Sequence, residues 1–192
     1  QQEEGAAEPP KDLQEMREAP NLAAELEGDM DVIHLMVAAY ADPESEHYDL
    51  AEALRWAEKG AERGDVSCQL RCAAWYDSGR GTDKNPEKAF YWTKKAAEQG
   101  NAAAQYNCGF CYKKGDGVAQ DMKQAFYWYK KSAEQGDADG QFACGNCYYR
   151  GDGVAQDQRA AREWFRKAAE QGHTKAQVNL GIMLFNGEGG DR

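Results

Sequence analysis

The sequence predicts an all-α solenoid, a stack of helical hairpins that repeats every 36 residues. The closing pentapeptide recurs as AAEQG ending at Gly100, SAEQG at Gly136 and AAEQG at Gly172, with the related GAERG ending at Gly64. Four further columns keep the same spacing: Trp56, Trp92, Trp128, Trp164; Ala53, Ala89, Ala125, Ala161; Tyr40, Tyr76, Tyr112, Tyr148; and the pairs Gly79/Gly81, Gly115/Gly117, Gly151/Gly153, Gly187/Gly189. Several independent columns at one period indicate a stacked architecture.

Each repeat is predicted to hold two helices. In the third repeat Ala104, Cys108 and Tyr112 lie four residues apart, which places them on one stripe of a helix. Gly115 can adopt the positive φ that a helix end requires. Asp121 is well placed to cap the second helix, because its carboxylate can accept hydrogen bonds from the free amides of the first turn.

The repeat register divides the chain into segments. Residues 1–20 are polar and acidic and are predicted to be disordered. The remainder is predicted to be one solenoid, made of an N-terminal cap 21–28, four repeats 29–64, 65–100, 101–136 and 137–172, and a half repeat 173–192.

The repeated pattern resembles a known family. It reads A-x-x-x-L-G-x-x-Y-x-x-G-x-G-V-x-x-D-x-x-x-A-x-x-W-Y-x-K-A-A-E-Q-G, and it is similar to the Sel-one-like repeat, a relative of the 34-residue tetratricopeptide repeat. The match is close in repeats 65–100, 101–136 and 137–172. It is weaker in 29–64, where Pro43 and Ser45 replace the loop glycines.

This resemblance implies a right-handed α/α superhelix that serves as an adaptor or scaffold. Members of the family work in quality control in the endoplasmic reticulum. In bacteria they work in host interaction, envelope regulation and toxin neutralisation. The 36-residue period alone indicates only stacked hairpins with an extended inner surface.

Alignment with the tetratricopeptide pattern makes five positions of each first helix face a concave groove. Exposed apolar clusters rimmed by charge typically mark binding surfaces, so we expect a partner protein or peptide there. The last helix contributes Lys175, Val178, Ile182 and Phe185, and a missing second helix is the alternative explanation for the exposure of Val178, Ile182 and Phe185. The expected partner-binding residues are Leu70, Tyr106, Phe110, Lys113, Lys114, Phe142, Asn146, Tyr149, Arg150 and Ile182. The alternative is that these rings pack on one another.

Six cysteines occur as Cys68/Cys72, Cys108/Cys111 and Cys144/Cys147. They lie in the middle of helices, on positions that are otherwise apolar, so we expect small buried hydrophobic residues. Disulfides and metal binding remain alternatives, since C-x-x-C pairs can serve either. A cysteine-rich Helicobacter branch of the family joins adjacent helices by disulfides, but here each pair lies within a single helix.

No pattern in the sequence predicts catalysis or a cofactor. His34, His47 and His173 are scattered and are expected to be surface residues, and the GDGVAQD turns lack the lysine of a phosphate loop. The net charge of −10 disfavours nucleic acid as a partner, and no apolar run is long enough to span a membrane. We therefore expect no enzyme, no cofactor, no metal, no nucleic acid and no membrane insertion; the oligomeric state is not predicted.

The acidity is concentrated in residues 1–64, which carry 17 acidic and 5 basic residues. This is either a solvated end or a docking site for a basic partner. The sequence favours a bacterial scaffold that is periplasmic or secreted, with the cytoplasm as the alternative location. Two other functions remain open: a periplasmic inhibitor that neutralises a secreted toxin, and a structural spacer in a longer repeat protein.

Overall fold

The computed structural model describes residues 28–189, and within this range it contains nine α-helices and no strand. The helices are α1 Met30–Ala41, α2 Leu50–Glu62, α3 Val66–Ser78, α4 Pro86–Glu98, α5 Ala102–Lys114, α6 Met122–Glu134, α7 Ala138–Arg150, α8 Gln158–Glu170 and α9 Thr174–Asn186. The expected disordered segment 1–20 and nearly all of the expected cap 21–28 lie outside the described residues.

The chain divides into two compact units. The first ends at Lys84 and holds α1 to α3; the second begins at Asn85 and holds α4 to α9. Within each unit every helix packs against the next one along the chain, and α5 also contacts α7. The odd-numbered helices are the first helices of the repeats and the even-numbered ones the second, so the predicted all-α repeat of hairpins is confirmed.

Both ends of the first helices are set by single residues. Asp65, Asn101 and Asp137 each cap the following helix by accepting a hydrogen bond from the amide three residues later, at 2.7, 2.9 and 2.7 Å. The helices α3, α5, α7 and α9 end at a left-handed glycine, as the sequence predicts. Asp121 caps α6 through the amides of Lys123 and Gln124, which confirms its predicted role.

The second glycine of each loop permits a close backbone contact. A Cβ atom on Gly117 would collide with the carbonyl oxygen of Pro86, and one on Gly153 with that of Met122. Both glycines also have positive φ, of 68° and 73°. Each loop therefore touches the first turn of the second helix in the preceding repeat, which fixes the spacing of consecutive hairpins.

A glycine also sits where an aromatic ring of the second helix meets the first helix. A Cβ on Gly109 would lie 2.7 Å from the ring of Tyr129, and one on Gly145 would lie 2.7 Å from the ring of Phe165. In the same two sequence columns the preceding repeat carries Ala73 and Thr93 instead. Where the first column holds glycine, the second holds an aromatic residue. Where the first holds alanine, the second holds the smaller threonine.

The same exchange of bulk occurs where a second helix meets the next first helix. A Cβ on Gly60 would lie 2.6 Å from Sγ of Cys68, and one on Gly140 would collide with Oγ of Ser132. One column holds Gly60 and Ser132, and the other holds Cys68 and Gly140. The small and the larger residue are therefore interchanged between the two repeats. At these two contacts, packing at native density leaves room for only one of the two larger side chains.

A column of glutamines, which the sequence analysis overlooked, bonds each first helix to the helix before it. The buried Gln105 donates to the carbonyl of Ala97 at 3.1 Å and accepts from Gln135 at 2.7 Å. Gln141 repeats the pattern with Ala133 and Gln171. Buried amides of this kind stabilise one register, because any shift leaves polar groups unpaired. Gln69 and Gln177 make the equivalent bonds to Ala61 and Ala169.

We expect Gly109→Ala to destabilise the protein by about 1 to 3 kcal/mol, because the added methyl group overpacks against the ring of Tyr129. In a Tyr129→Thr background the same substitution is expected to be neutral or stabilising, because the shorter side chain leaves room for the methyl group. Urea unfolding of the wild-type protein, the two single variants and the double variant measures both effects.

Gly181→Ala is the matched control, because it occupies the same column and no atom lies within 4 Å of its added methyl group. Because alanine has a higher helix propensity than glycine, this substitution should leave stability unchanged or raise it by up to about 1 kcal/mol. Equal effects at Gly109 and Gly181 would contradict the packing argument.

Candidate protein-binding site

The predicted binding residues of the second unit lie on the first helices α5, α7 and α9. Three of them are more buried than expected. Tyr106 packs on Tyr129 with ring centroids 5.7 Å apart, and Phe142 and Tyr149 pack on Phe165 at 5.8 and 6.5 Å. The expectation that these three rings face solvent is therefore wrong in part, since each is half-buried against the second helix of its own repeat. Burial also raises the pKa of Tyr106.

Phe110 and Ile182 are the exposed apolar members of the set, with 41% and 50% of their surface accessible. They share one column of the first helices with Asn146. Lys114 is exposed and places its ammonium 5.8 Å from the ring centroid of Phe110. We call the outward positions of α5, α7 and α9 the first-helix face: Tyr106, Phe110, Lys113, Lys114, Asp139, Phe142, Asn146, Tyr149, Arg150, Lys175, Val178 and Ile182.

The first-helix face contains an open depression of about 470 Å³. It brings together four of the predicted residues, Lys113, Phe142, Asn146 and Arg150, and adds residues from the first half of α9. We call it the basic depression. Its lining is Lys113, Phe142, Asn146, Arg150, Thr174, Lys175, Val178 and Asn179.

The floor of the basic depression is held by several contacts. The ring of Phe142 stacks on His173 with centroids 4.5 Å apart and planes at 25°. His173 caps α9 by accepting from the amide of Ala176 at 3.1 Å, and its Nε2 lies 3.2 Å from Oδ1 of Asp139. The amide of Asn146 donates to the carbonyl of Phe142 at 3.1 Å. A partner would therefore meet a preformed floor.

The electrostatic character of the basic depression comes from Lys113, Arg150 and Lys175. Its lining contains no carboxylate. Among residues 28–189, none of these three cations forms an ion pair, whereas Lys94 and Lys130 pair with glutamates one turn away. The depression thus presents uncompensated positive charge, although the whole chain is acidic.

Some residues do not follow the prediction. Leu70 belongs to the first unit, where it is half-buried on α3. His173, expected at the surface, has a side chain only 13% exposed. Sequence reasoning also missed Thr174 and Asn179. Only His173 gave a signal, because the equivalent positions of the preceding repeats carry Asp65, Asn101 and Asp137 as caps.

The cysteines occupy the expected buried positions. Cys68, Cys72, Cys108, Cys144 and Cys147 are buried and Cys111 is half-buried. Desolvation raises the pKa of the first four thiols to about 12 and that of Cys147 to about 11. These thiols stay protonated at neutral pH and are poor nucleophiles.

One group of potential metal ligands occurs among residues 28–189: atoms of His34, Asp65 and Cys68 lie within 4.8 Å of one another. Its geometry is that of a helix cap. Oδ1 of Asp65 accepts from the amide of Cys68 at 2.7 Å and lies 3.2 Å from Nε2 of His34. Although burial raises the pKa of Asp65, hydrogen bonds from Cys68 and His34 lower it overall. The expectation that the chain binds no metal stays a prediction.

No helix among residues 28–189 has both the length and the apolar character of a membrane-spanning segment.

Capped helical hairpins repeating at a fixed interval, with the outward face of the first helices left open, define a solenoid repeat protein. The family model for the Sel1 repeat matches residues 45–65, 66–101, 102–137, 138–173 and 174–192. The chain therefore belongs to the Sel1 repeat family, which confirms the resemblance seen in the sequence. A search of curated proteins finds no match.

Three solved structures show the same fold. One is c5321, a protective antigen present in uropathogenic Escherichia coli strains and displaying an SLR fold (33% identity, TM-score 0.78, 95% of this chain and 38% of that one). Another is a Sel1 repeat protein from Oxalobacter formigenes (28% identity, TM-score 0.76, 93% of this chain and 74% of that one). A third is Helicobacter pylori cysteine rich protein B (26% identity, TM-score 0.55, 72% of this chain and 100% of that one). The chain thus spans well under half the length of c5321.

Membership of the family carries a general function. Sel1 repeat proteins generally act as scaffolds for protein–protein interaction and are typically not catalysts. The identity of the partner does not follow from membership, because outward residues differ between repeats while the packing residues recur.

A thiol reagent should find five of the six cysteines protected in the native protein. With a pKa of about 12, only about one thiol in ten thousand is ionised at pH 8, and the buried sulfur atoms are also shielded. Only Cys111 is expected to react before unfolding, and Cys111→Ala should remove that phase. All six should titrate in denaturant without reductant. Fewer than six would reveal disulfides, and prompt reaction of several would contradict the packing.

Proposed function

We propose that this protein is an interaction scaffold whose first-helix face binds a segment of a partner protein. The observation that supports this most is the exposure of Phe110 and Ile182 on a face that also contains the basic depression. Apolar side chains surrounded by charge on a preformed surface are typical of protein interfaces. The packing of the described repeats leaves these two side chains exposed.

Exposure of Ile182 has a second explanation, since no second helix follows α9 among the described residues. The complete repeats separate the two explanations. Phe110 occupies the same column in a repeat whose second helix is present, and it is also exposed. By contrast, Tyr106 and Phe142, which share a column with Val178, contact rings of their own second helices.

We further propose that the protein is bacterial and works in the periplasm or outside the cell. The support is similarity to c5321, described as a protective antigen of uropathogenic Escherichia coli strains, and to other bacterial repeat proteins. Fractionation of the source cell tests this placement, and recovery of the chain with the cytosol would contradict it. No described residue favours toxin inhibition or a spacer role over a scaffold.

The binding face can be tested with a library of random peptides displayed on phage and selected on the purified protein. Retention of the selected peptides should fall at least tenfold on the double variant Phe110→Ser, Ile182→Ser, because anchor side chains at interfaces each contribute roughly 2 kcal/mol. Phe142→Ser is unsuitable, since loss of its contacts with Phe165 and His173 would disturb the fold.

The control is the double variant Tyr91→Ser, Tyr127→Ser, which removes rings of similar exposure from the second helices α4 and α6. It should retain the selected peptides. Circular dichroism should show unchanged helicity in both variants. Equal retention by all three proteins, or loss only in the control, would overturn the proposed face.

A further inference from the structure

We infer that the basic depression binds an acidic segment of the partner, in which carboxylate side chains flank an apolar residue. This inference depends on the proposed function, because it names the chemistry of the segment that the first-helix face accepts.

The first argument is charge. Lys113, Arg150 and Lys175 come from three successive first helices and line one depression that contains no carboxylate. Asp139 is the acidic member of the first-helix face, and it lies 3.2 Å from the imidazole of His173 at the edge of the site. Negative charge supplied by a partner would thus complete the site. Hydrogen bonds between a charged donor and a carboxylate are stronger than those between neutral groups.

The second argument is the position of Lys175. A lysine or arginine at the end of a helix stabilises it through the helix dipole, which accounts for Lys113 and Arg150 in the last turns of α5 and α7. Lys175 lies in the first turn of α9, where the dipole disfavours a cation. Helix stability therefore does not explain it, whereas recognition of an anion does.

The third argument is the lining between the cations. Asn146 and Asn179 offer amide groups, and Thr174 offers a hydroxyl group, for hydrogen bonds to carboxylates or to an extended backbone. Phe142 and Val178 supply apolar surface in the same depression. Acidic side chains on either side of one apolar side chain match this mixture.

The cations are particular to this part of the repeat array. At the position of Lys113 the second repeat carries Asp77, and at the position of Arg150 it carries Ser78. The tryptophan and alanine columns that build the fold recur in all four repeats, but these columns do not keep their residues. Packing of the repeats therefore does not require positive charge at these positions.

The test compares two short fluorescent peptides by anisotropy: one with glutamates flanking a leucine, and the same peptide with each glutamate replaced by glutamine. The glutamate peptide should bind at least tenfold more tightly, and added salt should weaken it, because screening reduces exposed charge interactions. The triple variant Lys113→Gln, Arg150→Gln, Lys175→Gln should remove this preference.

The control variant Lys94→Gln, Lys123→Gln, Lys130→Gln makes the same change in net charge on the second helices α4 and α6 and should keep the preference. Sequencing the phage-selected peptides should show enrichment of aspartate and glutamate over the unselected library.

The failures are distinguishable. Neutral or basic peptides that still depend on Phe110 and Ile182 would overturn the acidic-segment inference and leave the scaffold function intact. Peptides whose binding depends neither on Phe110 and Ile182 nor on the three cations would overturn both the inference and the proposed function. Equal binding of the two fluorescent peptides, or tighter binding of a single-stranded DNA oligonucleotide than of the glutamate peptide, would also contradict the inference.

Discussion

The rings of Tyr129 and Phe165 can reach the first helices only because a glycine faces each of them. This contact decides which side of α5 and α7 is buried. A helix that presents a glycine to an aromatic ring can approach closely, and the side turned away from the ring is left to solvent. The first-helix face, with Phe110 and the cations of the basic depression, is a consequence of that contact.

Three recurring features keep the first helices in register once they are packed. Side-chain caps fix where each helix starts, left-handed glycines fix where it ends, and the buried Gln105 and Gln141 bond it to the preceding helix. Because each feature recurs every 36 residues, consecutive hairpins within the second unit take the same arrangement. The outward residues are under no such constraint, so they are free to differ and to define a partner.

The sequence predicted the helical hairpins well, because their caps, glycines, tryptophans and alanines act locally and repeat at one period. It also placed Lys113, Asn146 and Arg150 in one set, and these do line one depression. It could not predict that Tyr106 and Phe142 are half-buried, since this depends on how far the rings of another helix reach. His173 was missed because its stacking on Phe142 joins residues 31 positions apart in different repeats.

The central claim is that a partner segment contacts the outward side of α5, α7 and α9. Amide chemical shifts, recorded by NMR while a phage-selected peptide is titrated into the labelled protein, test it directly. The account predicts that the largest shifts occur at residues 110–114, 142–150 and 174–182. Shifts concentrated on the outward side of α4 and α6, around Tyr91 and Tyr127, would contradict it.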